Sequence, residues 1–170
     1  GNVFLYYGEE LGMKGSGKDE NKRAPMYWSK DGNAEGMCKG PADMDDFRMK
    51  FDSLEEQQED PDSIYNYVKQ VIRVRNQNPV IARGTTAYLE QYSGEQCFAL
   101  TRSYEGSNLL LLGNTSAEAV SVDLTGLTVG GTTAEELVLL GELYTGEETA
   151  ERAGTVVTLP AYSILILGEE

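Results

Sequence analysis

Two adjacent carboxylates, Glu9 and Glu10, follow an apolar run at the start of the chain. Paired carboxyl groups are the residue types that cleave glycosidic bonds, but the two groups must flank one bond at roughly 5–9 Å from each other. Neighbouring residues of an extended chain point to opposite faces, so Glu9 and Glu10 do not naturally converge. We therefore expect their side chains to hold a turn by hydrogen bonding, and we assign neither of them as an acid or a base.

A second candidate lies between Gly12 and Lys18, where the spacing matches the Gly-x-x-x-x-Gly-Lys pattern of a phosphate-binding loop. The next residue of such a loop is a Ser or Thr that ligates Mg²⁺, and here it is Asp19, whose carboxylate would repel phosphate. The residues up to Pro25 also do not continue as the helix that this loop requires. We interpret the segment as a Gly-Lys surface loop.

A third candidate is the stretch from Arg23 to Trp28, which combines a planar cation, the rigid Pro25 and aromatic rings. Aromatic faces and charged hydrogen-bond donors commonly bind sugars. The alternative interpretation is that Met26 and Trp28 only cover the rim of a barrel. The residue types alone favour the two interpretations about equally.

Composition excludes several kinds of site. The 170 residues include no histidine, which removes Ser-His and Cys-His nucleophile pairs and His-ligated metals. Cys38 and Cys97 lie far apart without metal spacing, and we expect two free thiols. The net charge of −14 disfavours nucleic acid and anionic membranes but does not disfavour a neutral partner. The triplet that begins at Asn114 fits a glycosylation sequon, although a turn at a strand end explains it better.

The elements that would position these residues differ between the two halves. The unbroken apolar run Val3–Tyr7 predicts a strand buried on both faces, as in a parallel sheet. Because the chain opens within this run and without Met, we expect a piece of a longer protein. Residues 14–56 are rich in Gly and Asp and predict a long irregular loop, and Trp28 and Phe47 indicate that this loop is packed.

The clearest helix is predicted from about Asp62 to Gln77, with Asp60 as N-cap and Pro61 in the first helical position. Asn78 and Pro79 end it. Its expected buried face repeats at helical spacing and consists of Ile64, Tyr67, Val68, Val71 and Ile72.

From Thr85 onward, short apolar or alternating runs recur at intervals of about 8–12 residues, which predicts an antiparallel sandwich. We expect a domain boundary between residues 81 and 82, so that 1–81 and 82–170 form the two parts. The predicted strands are Thr86–Tyr92, Gln96–Tyr104, Asn108–Asn114, Ala119–Asp123, Glu136–Tyr144, Thr155–Pro160 and Tyr162–Leu167.

Four stretches together resemble the alpha-amylase superfamily (glycoside hydrolase family 13). Gly1–Met13 resembles its last barrel-strand motif, with Val3 where the family commonly has Pro. Lys18–Ser29 resembles its Arg-x-Pro-Met-x-Trp loop. Ile72–Pro79 is similar to its final barrel helix, and Leu159–Leu167 is similar to the closing strand of its C-terminal sandwich.

The resemblance implies a mainly β fold, in which a C-terminal antiparallel β-sandwich is preceded by the last β/α segment of a (β/α)₈ barrel. It also implies a parent enzyme that hydrolyses α-glucosidic bonds of starch or maltooligosaccharides with retention. The family's catalytic Asp, Glu and Asp, and its usual calcium ligands, lie on earlier parts of the barrel. We therefore expect no catalytic residue, metal ligand or cofactor in these residues. By the same resemblance, Tyr6, Tyr7, Glu9 and Arg23 are the candidates for substrate binding at the cleft rim.

Several alternatives stay open. The parent enzyme could instead be an α-glucosidase, an oligo-1,6-glucosidase or a trehalose-forming transglycosylase, and a secreted and a cytoplasmic protein both fit the composition. A non-catalytic carbohydrate-binding module is the rival from another class, and it would expose tyrosines on one sandwich face: Tyr88, Tyr92, Tyr104, Tyr144 and Tyr162. We expect the 170 residues alone to be inactive. We also expect Val3–Tyr7 to support self-association, because an unpaired apolar strand pairs readily with a second copy.

Overall fold

The computed structural model describes residues 2–169. The chain divides into two compact units, Asn2–Lys69 and 70–169, which are described separately. The two units meet between residues 69 and 70, inside a helix. The domain boundary between residues 81 and 82 stays a prediction. No helix between residues 2 and 169 is long and apolar enough to cross a membrane.

The first unit is largely irregular, as the composition of residues 14–56 predicts. The buried side-chain amide of Asn21 holds this irregular unit together by three hydrogen bonds. Its Nδ2 donates to the Ser16 carbonyl and to Asp45 Oδ2, each at 2.8 Å, and its Oδ1 accepts the Asp45 N–H at 2.9 Å. Hydrogen bonds from Asn21, and then from Lys18, hold the pKa of the Asp45 carboxyl below its usual value. One side chain thus joins two parts of the loop that lie 24 residues apart.

One short helix in this unit, α1 (Leu54–Glu59), was not predicted. It begins with a capping box, in which Ser53 N–H and Oγ donate to Glu56 Oε2 at 3.1 and 2.8 Å. The Ser-x-x-Glu spacing at residues 53–56 is visible in the sequence and is the signal that would have identified the helix.

The predicted strand Val3–Tyr7 is not formed, and its burial was predicted wrongly. Residues 2–6 adopt no regular secondary structure, and Phe4 is 92% exposed. A strand exists only when its backbone groups pair with a neighbour, and none of the described strands pairs with this segment. Self-association through Val3–Tyr7 stays a prediction.

The predicted long helix is confirmed as α2 (Ile64–Gln77), with two differences. The cap is Ser63, whose Oγ accepts the Asn66 N–H at 3.2 Å, whereas Asp60 accepts the Asp62 N–H at 3.0 Å in the preceding turn. The expected apolar face is only half-buried, and its member Ile72 is 45% exposed, because few described side chains cover it. Pro79 ends α2 as predicted but also starts the unpredicted helix α3 (Pro79–Arg83), where it occupies the first turn.

The second unit is an antiparallel sandwich, so the predicted fold class is confirmed. Its five-stranded sheet has the order β1-β2-β3-β10-β7, and a three-stranded sheet has the order β4-β9-β8; β5 and β6 form a small hairpin. The strands are β1 (Thr85–Tyr88), β2 (Cys97–Tyr104), β3 (Ser107–Asn114), β4 (Val120–Asp123), β5 (Thr128–Val129), β6 (Thr132–Thr133), β7 (Val138–Leu143), β8 (Glu151–Ala153), β9 (Val156–Leu159) and β10 (Ile164–Gly168).

Alternating residues of the two sheets form one shared core. Leu110 and Leu112 on β3 and Leu165 on β10 pack in the same cluster as Val157 and Leu159 on β9. Short apolar or alternating runs predicted these strands, and the side chains that face the other sheet form the core. The short strands β5, β6 and β8 were missed, since two or three residues are too few to show a period.

The hairpin between β2 and β3 turns at Glu105 and Gly106, which have φ values of 51° and 87°. Positive φ at both central residues is the type I′ geometry, whose twist matches that of the flanking strands. The turn sets a register in which Tyr104 faces Ser107 and Cys97 faces Asn114.

Asn114, at the end of β3, is only 3% exposed, so its sequon does not present an accessible amide. Its Nδ2 donates to the carbonyls of Glu118, Pro160 and Leu159 at 2.7, 2.9 and 3.2 Å. Its Oδ1 accepts the Ser116 N–H at 2.9 Å. This side chain therefore closes a strand-end turn and connects it to the end of β9.

Candidate functional site

The acidic turn is built from the two carboxylates that open the sequence. Residues Glu9–Leu11 form a short 3₁₀ helix. Glu10 Oε2 accepts the Gly8 N–H at 2.8 Å, and Glu9 Oε2 accepts the Tyr6 N–H at 3.2 Å. Each carboxylate is bound to a backbone donor of its own turn, as the sequence predicts. The two side chains do not form an acid–base pair.

Gly12 ends this turn and needs to be a glycine. Its φ is 62°, in the left-handed region, and a Cβ here would lie 2.6 Å from both Ile64 Cδ1 and Phe51 Cδ2. The backbone therefore turns sharply and passes closely under two apolar side chains.

Tyr7 connects the turn to the loop that follows. Its hydroxyl donates to the Ala24 carbonyl at 3.0 Å, with the Lys22 carbonyl at 3.4 Å, and its ring centroid lies 4.8 Å from that of Tyr6. Partial burial, followed by the neighbouring Tyr6 and Cys38, raises the pKa of the Tyr7 phenol, and Arg23 acts in the opposite direction. The Tyr7 hydroxyl is therefore the hydrogen-bond donor that joins the turn to the loop.

These residues line a cleft of about 310 Å³. Tyr6, Tyr7 and Glu9 lie together in its wall, and Arg23 is not part of the lining. The Arg23 Nε donates to the Asp19 carbonyl at 3.3 Å instead. The substrate-binding role of all four residues stays a prediction. The lining residues that sequence reasoning missed are Gly8, Met13, Lys14, Gly15, Asn21, Lys22 and Ala24.

A buried amide on α1 holds the acidic turn by hydrogen bonds. Gln57 on α1 is 3% exposed, and its Nε2 donates to the carbonyls of Asp52 and Leu11 at 2.7 and 3.0 Å. Its Oε1 accepts the Tyr65 N–H at 3.1 Å. Gln57 therefore ties the acidic turn to α1 and to the start of α2. No local pattern in the sequence marks this residue.

The described residues contain no group of three His, Cys, Asp or Glu side chains that could hold a metal ion. No residue between 2 and 169 is therefore assigned as a ligand for the family's calcium. Cys38 and Cys97 are free thiols, as predicted.

Tyr7→Phe is expected to lower the free energy of unfolding of the Asn2–Lys69 unit by about 1 kcal/mol, because the variant loses the hydrogen bond to Ala24. It should also remove one phenol that titrates above the usual value of about 10. Urea denaturation and an alkaline absorbance titration of both proteins measure the two effects. Tyr65→Phe is the matched control. Equal stabilities of wild type and Tyr7→Phe would show that the hydrogen bond from Tyr7 to Ala24 does not stabilise this unit.

Comparison with known proteins agrees with this arrangement. Residues 1–84 match the family model of the alpha-amylase catalytic domain. Alpha-amylase 3 of Dictyoglomus thermophilum is 32% identical over 84 residues, which are 49% of this chain and 17% of that protein. The structure of Eubacterium rectale Amy13B is 41% identical, with a TM-score of 0.90, and the alignment covers 100% of this chain and 32% of that one.

The alpha-amylase of H. orenii is 27% identical with a TM-score of 0.72, over 100% of this chain and 33% of that one. The chain thus spans about a third or less of the length of these relatives. The acidic turn and the loop after it lie within the matched part of the catalytic domain, and the sandwich follows in the same order as in the solved structures. The chain therefore belongs to the alpha-amylase superfamily.

Proposed function

We propose that this chain is the C-terminal part of a retaining glycoside hydrolase that acts on α-glucosidic bonds of starch or maltooligosaccharides. The observation that carries the proposal is the match of residues 1–84 to the alpha-amylase catalytic domain, and the similarity to Amy13B at 41% identity covers the whole chain. Within that enzyme, the turn and cleft around Tyr6, Tyr7 and Glu9 would form part of the substrate rim. The sandwich would stabilise the barrel.

We propose further that the 170 residues are not catalytic by themselves. Glycoside hydrolysis needs two carboxyl groups on opposite sides of one bond. Glu9 lines the cleft and Glu10 is its neighbour in the chain, and both accept backbone N–H groups of the same turn. A carboxylate held in this way is poorly placed to attack a sugar or to transfer a proton to it.

The rival function, a carbohydrate-binding module, requires several exposed aromatic rings on one face of the sandwich. Of its five tyrosines, Tyr92 is buried and donates to the Thr125 carbonyl at 3.2 Å, and Tyr144 is half-buried and donates to Glu142 at 2.8 Å. Only Tyr88 and Tyr162 are more than half exposed. This distribution favours a structural role for the sandwich.

A chimera tests the proposal. The 170 residues replace the aligned C-terminal part of Amy13B, and the release of reducing sugar from maltoheptaose is compared for the chimera, unaltered Amy13B and the 170-residue chain alone. We expect hydrolysis by the chimera within about tenfold of the host, equivalent to about 1.4 kcal/mol, and none by the chain alone. Hydrolysis by the chain alone, or a folded chimera with no activity, would overturn the proposal.

A further inference from the structure

A second cleft lies beside Trp28 and is lined by different residues from those of the cleft around Tyr6. Its volume is about 420 Å³, within the range of roughly 300–1,000 Å³ that is typical of small-molecule sites. Trp28 is 41% exposed there, although tryptophan is highly buried on average. The Trp28 side chain therefore lines the cleft with a large part of its surface accessible to a ligand.

The backbone holds this indole in place. The carbonyls of Tyr27 and Trp28 accept the N–H groups of Leu54 and Glu55, at 2.9 and 3.1 Å, in the first turn of α1. Those N–H groups have no partner inside the helix, so the hydrogen bonds satisfy them and fix the Trp28 backbone to the helix end. One wall of the cleft is therefore preformed.

The opposite wall is a turn that is also held by its own hydrogen bonds. The Ser29 Oγ accepts the Ala34 N–H at 3.2 Å, and the Ser29 carbonyl accepts the Gly32 N–H at 3.2 Å. Lys30 is engaged with Glu56, with Nζ and Oε1 at 3.1 Å. These hydrogen bonds fix the backbone of the turn, and Asp31 and Asn33 of this turn line the cleft.

Two amide side chains in the cleft are available to a ligand. Asn33 and Gln58 both line it and are exposed. Neither side chain has a hydrogen-bond partner among residues 2–169, whereas the amides of Asn21, Gln57 and Asn114 all do. Each free amide offers two donors and an acceptor, which is the complement that a sugar diol requires.

Charge selects among neutral, anionic and cationic ligands. The chain carries a net charge of −14, and Asp31 and Glu55 line the cleft itself, so an anion is disfavoured. The cleft's cation, Lys30, is already paired. A flat apolar face with neutral donors and acceptors around it fits a pyranose ring, whose C–H groups stack on an indole while its hydroxyls form hydrogen bonds.

We propose that the cleft beside Trp28 binds one glucose unit of an α-glucan, stacked on the indole and hydrogen-bonded by Asn33 and Gln58. The choice of an α-glucan rests on the proposed function of the parent enzyme. Such a contact would bind the glucan chain at a second place, in addition to the site where the bond is cleaved.

Trp28 is the one tryptophan of the sequence, so fluorescence excited at wavelengths that only indole absorbs comes from a residue of this cleft. The 170-residue chain is titrated with maltoheptaose, and cellohexaose serves as the β-linked comparison. We expect a saturable change of Trp28 emission with half-saturation at about 1 mM, and a response to cellohexaose at least roughly fivefold weaker. Asn33→Ala and Gln58→Ala should each weaken binding about threefold to tenfold through the lost hydrogen bonds.

The matched controls are Asn76→Ala, an exposed amide on α2 outside the cleft, and Tyr88→Ala in the sandwich; both should bind like the wild type. Circular dichroism checks that each variant is folded. A linear response without saturation, or equal binding by the wild type and both cleft variants, would overturn the site. Because the titration requires no hydrolysis, an active chimera without a Trp28 response refutes this site alone, and equal responses to both glucans refute the α-glucan assignment.

Discussion

Asn114→Asp is expected to lower the free energy of unfolding of the sandwich by about 3–5 kcal/mol at neutral pH, although the change replaces one NH₂ group by one oxygen. The wild-type Nδ2 donates to three carbonyl oxygens within 3.2 Å, and the site is buried. The variant removes both N–H donors and directs an oxygen at the three carbonyls. The acceptor role toward the Ser116 N–H and the Ser116 hydroxyl is retained.

The same argument gives a pH dependence with a definite sign. Burial beside carbonyl oxygens should raise the pKa of the new carboxyl above its unfolded value of about 3.9, so the folded state binds the proton more tightly. The variant should therefore lose stability progressively as the pH rises from that unfolded pKa through the raised folded pKa, where the loss is complete. It should regain part of the loss as the pH falls, because a protonated carboxyl can donate one hydrogen bond.

Urea denaturation followed by circular dichroism at neutral pH and near pH 4 measures both effects. Hydrogen exchange of the β3 and β10 amides localises the loss to the sandwich. Asn76→Asp is the matched control, because Asn76 is exposed on α2. If Asn114→Asp is no less stable than this control, the amide does not hold the strand end.

Gln57→Glu is expected to destabilise the Asn2–Lys69 unit by about 2–4 kcal/mol. The two donors to the Leu11 and Asp52 carbonyls are lost, and a buried carboxylate replaces them, while the contact with the Tyr65 N–H is kept. Since Leu11 belongs to the acidic turn, the effect should also loosen the wall that carries Tyr7 and Glu9.

Trp28 emission provides the measurement, because this residue lies in the same unit and its carbonyl is bonded to α1. Guanidinium unfolding followed by fluorescence should shift to a lower midpoint in Gln57→Glu. The control is Gln58→Glu at the exposed neighbouring position, with the same change of charge. Coincident curves for the two variants would show that burial of Gln57 is not what stabilises this unit.

Regular elements were predictable wherever a period repeated several times. The 14 residues of α2 carry a helical repeat, and β2, β3 and β10 carry apolar or alternating runs long enough to be located within about two residues. The misses have specific causes. The helix α1 is too short for a period, although its capping box was visible at Ser53 and Glu56. The apolar run Val3–Tyr7 has strand composition but no described neighbour to pair with.

The candidate site was also predictable only in part. Tyr6, Tyr7 and Glu9 were predicted for the rim from the family motif, and the non-convergence of Glu9 and Glu10 followed from their adjacency. Arg23 was predicted for the same rim, but its side chain bonds to Asp19 outside the lining. A motif specifies which residues occur together in the chain, and the backbone path decides which of them face the same space.

The sequence by itself determined the family, the order of the parts and the acidic turn, because these depend on residue types and on spacings of a few residues. Tertiary structure alone decided which polar groups meet. Gln57 reaches the Leu11 carbonyl 46 residues away, and Asn114 reaches the carbonyls of Leu159 and Pro160, 45 and 46 residues away. A buried amide must bond to whatever backbone groups the fold leaves unpaired, so its partners are set by long-range packing.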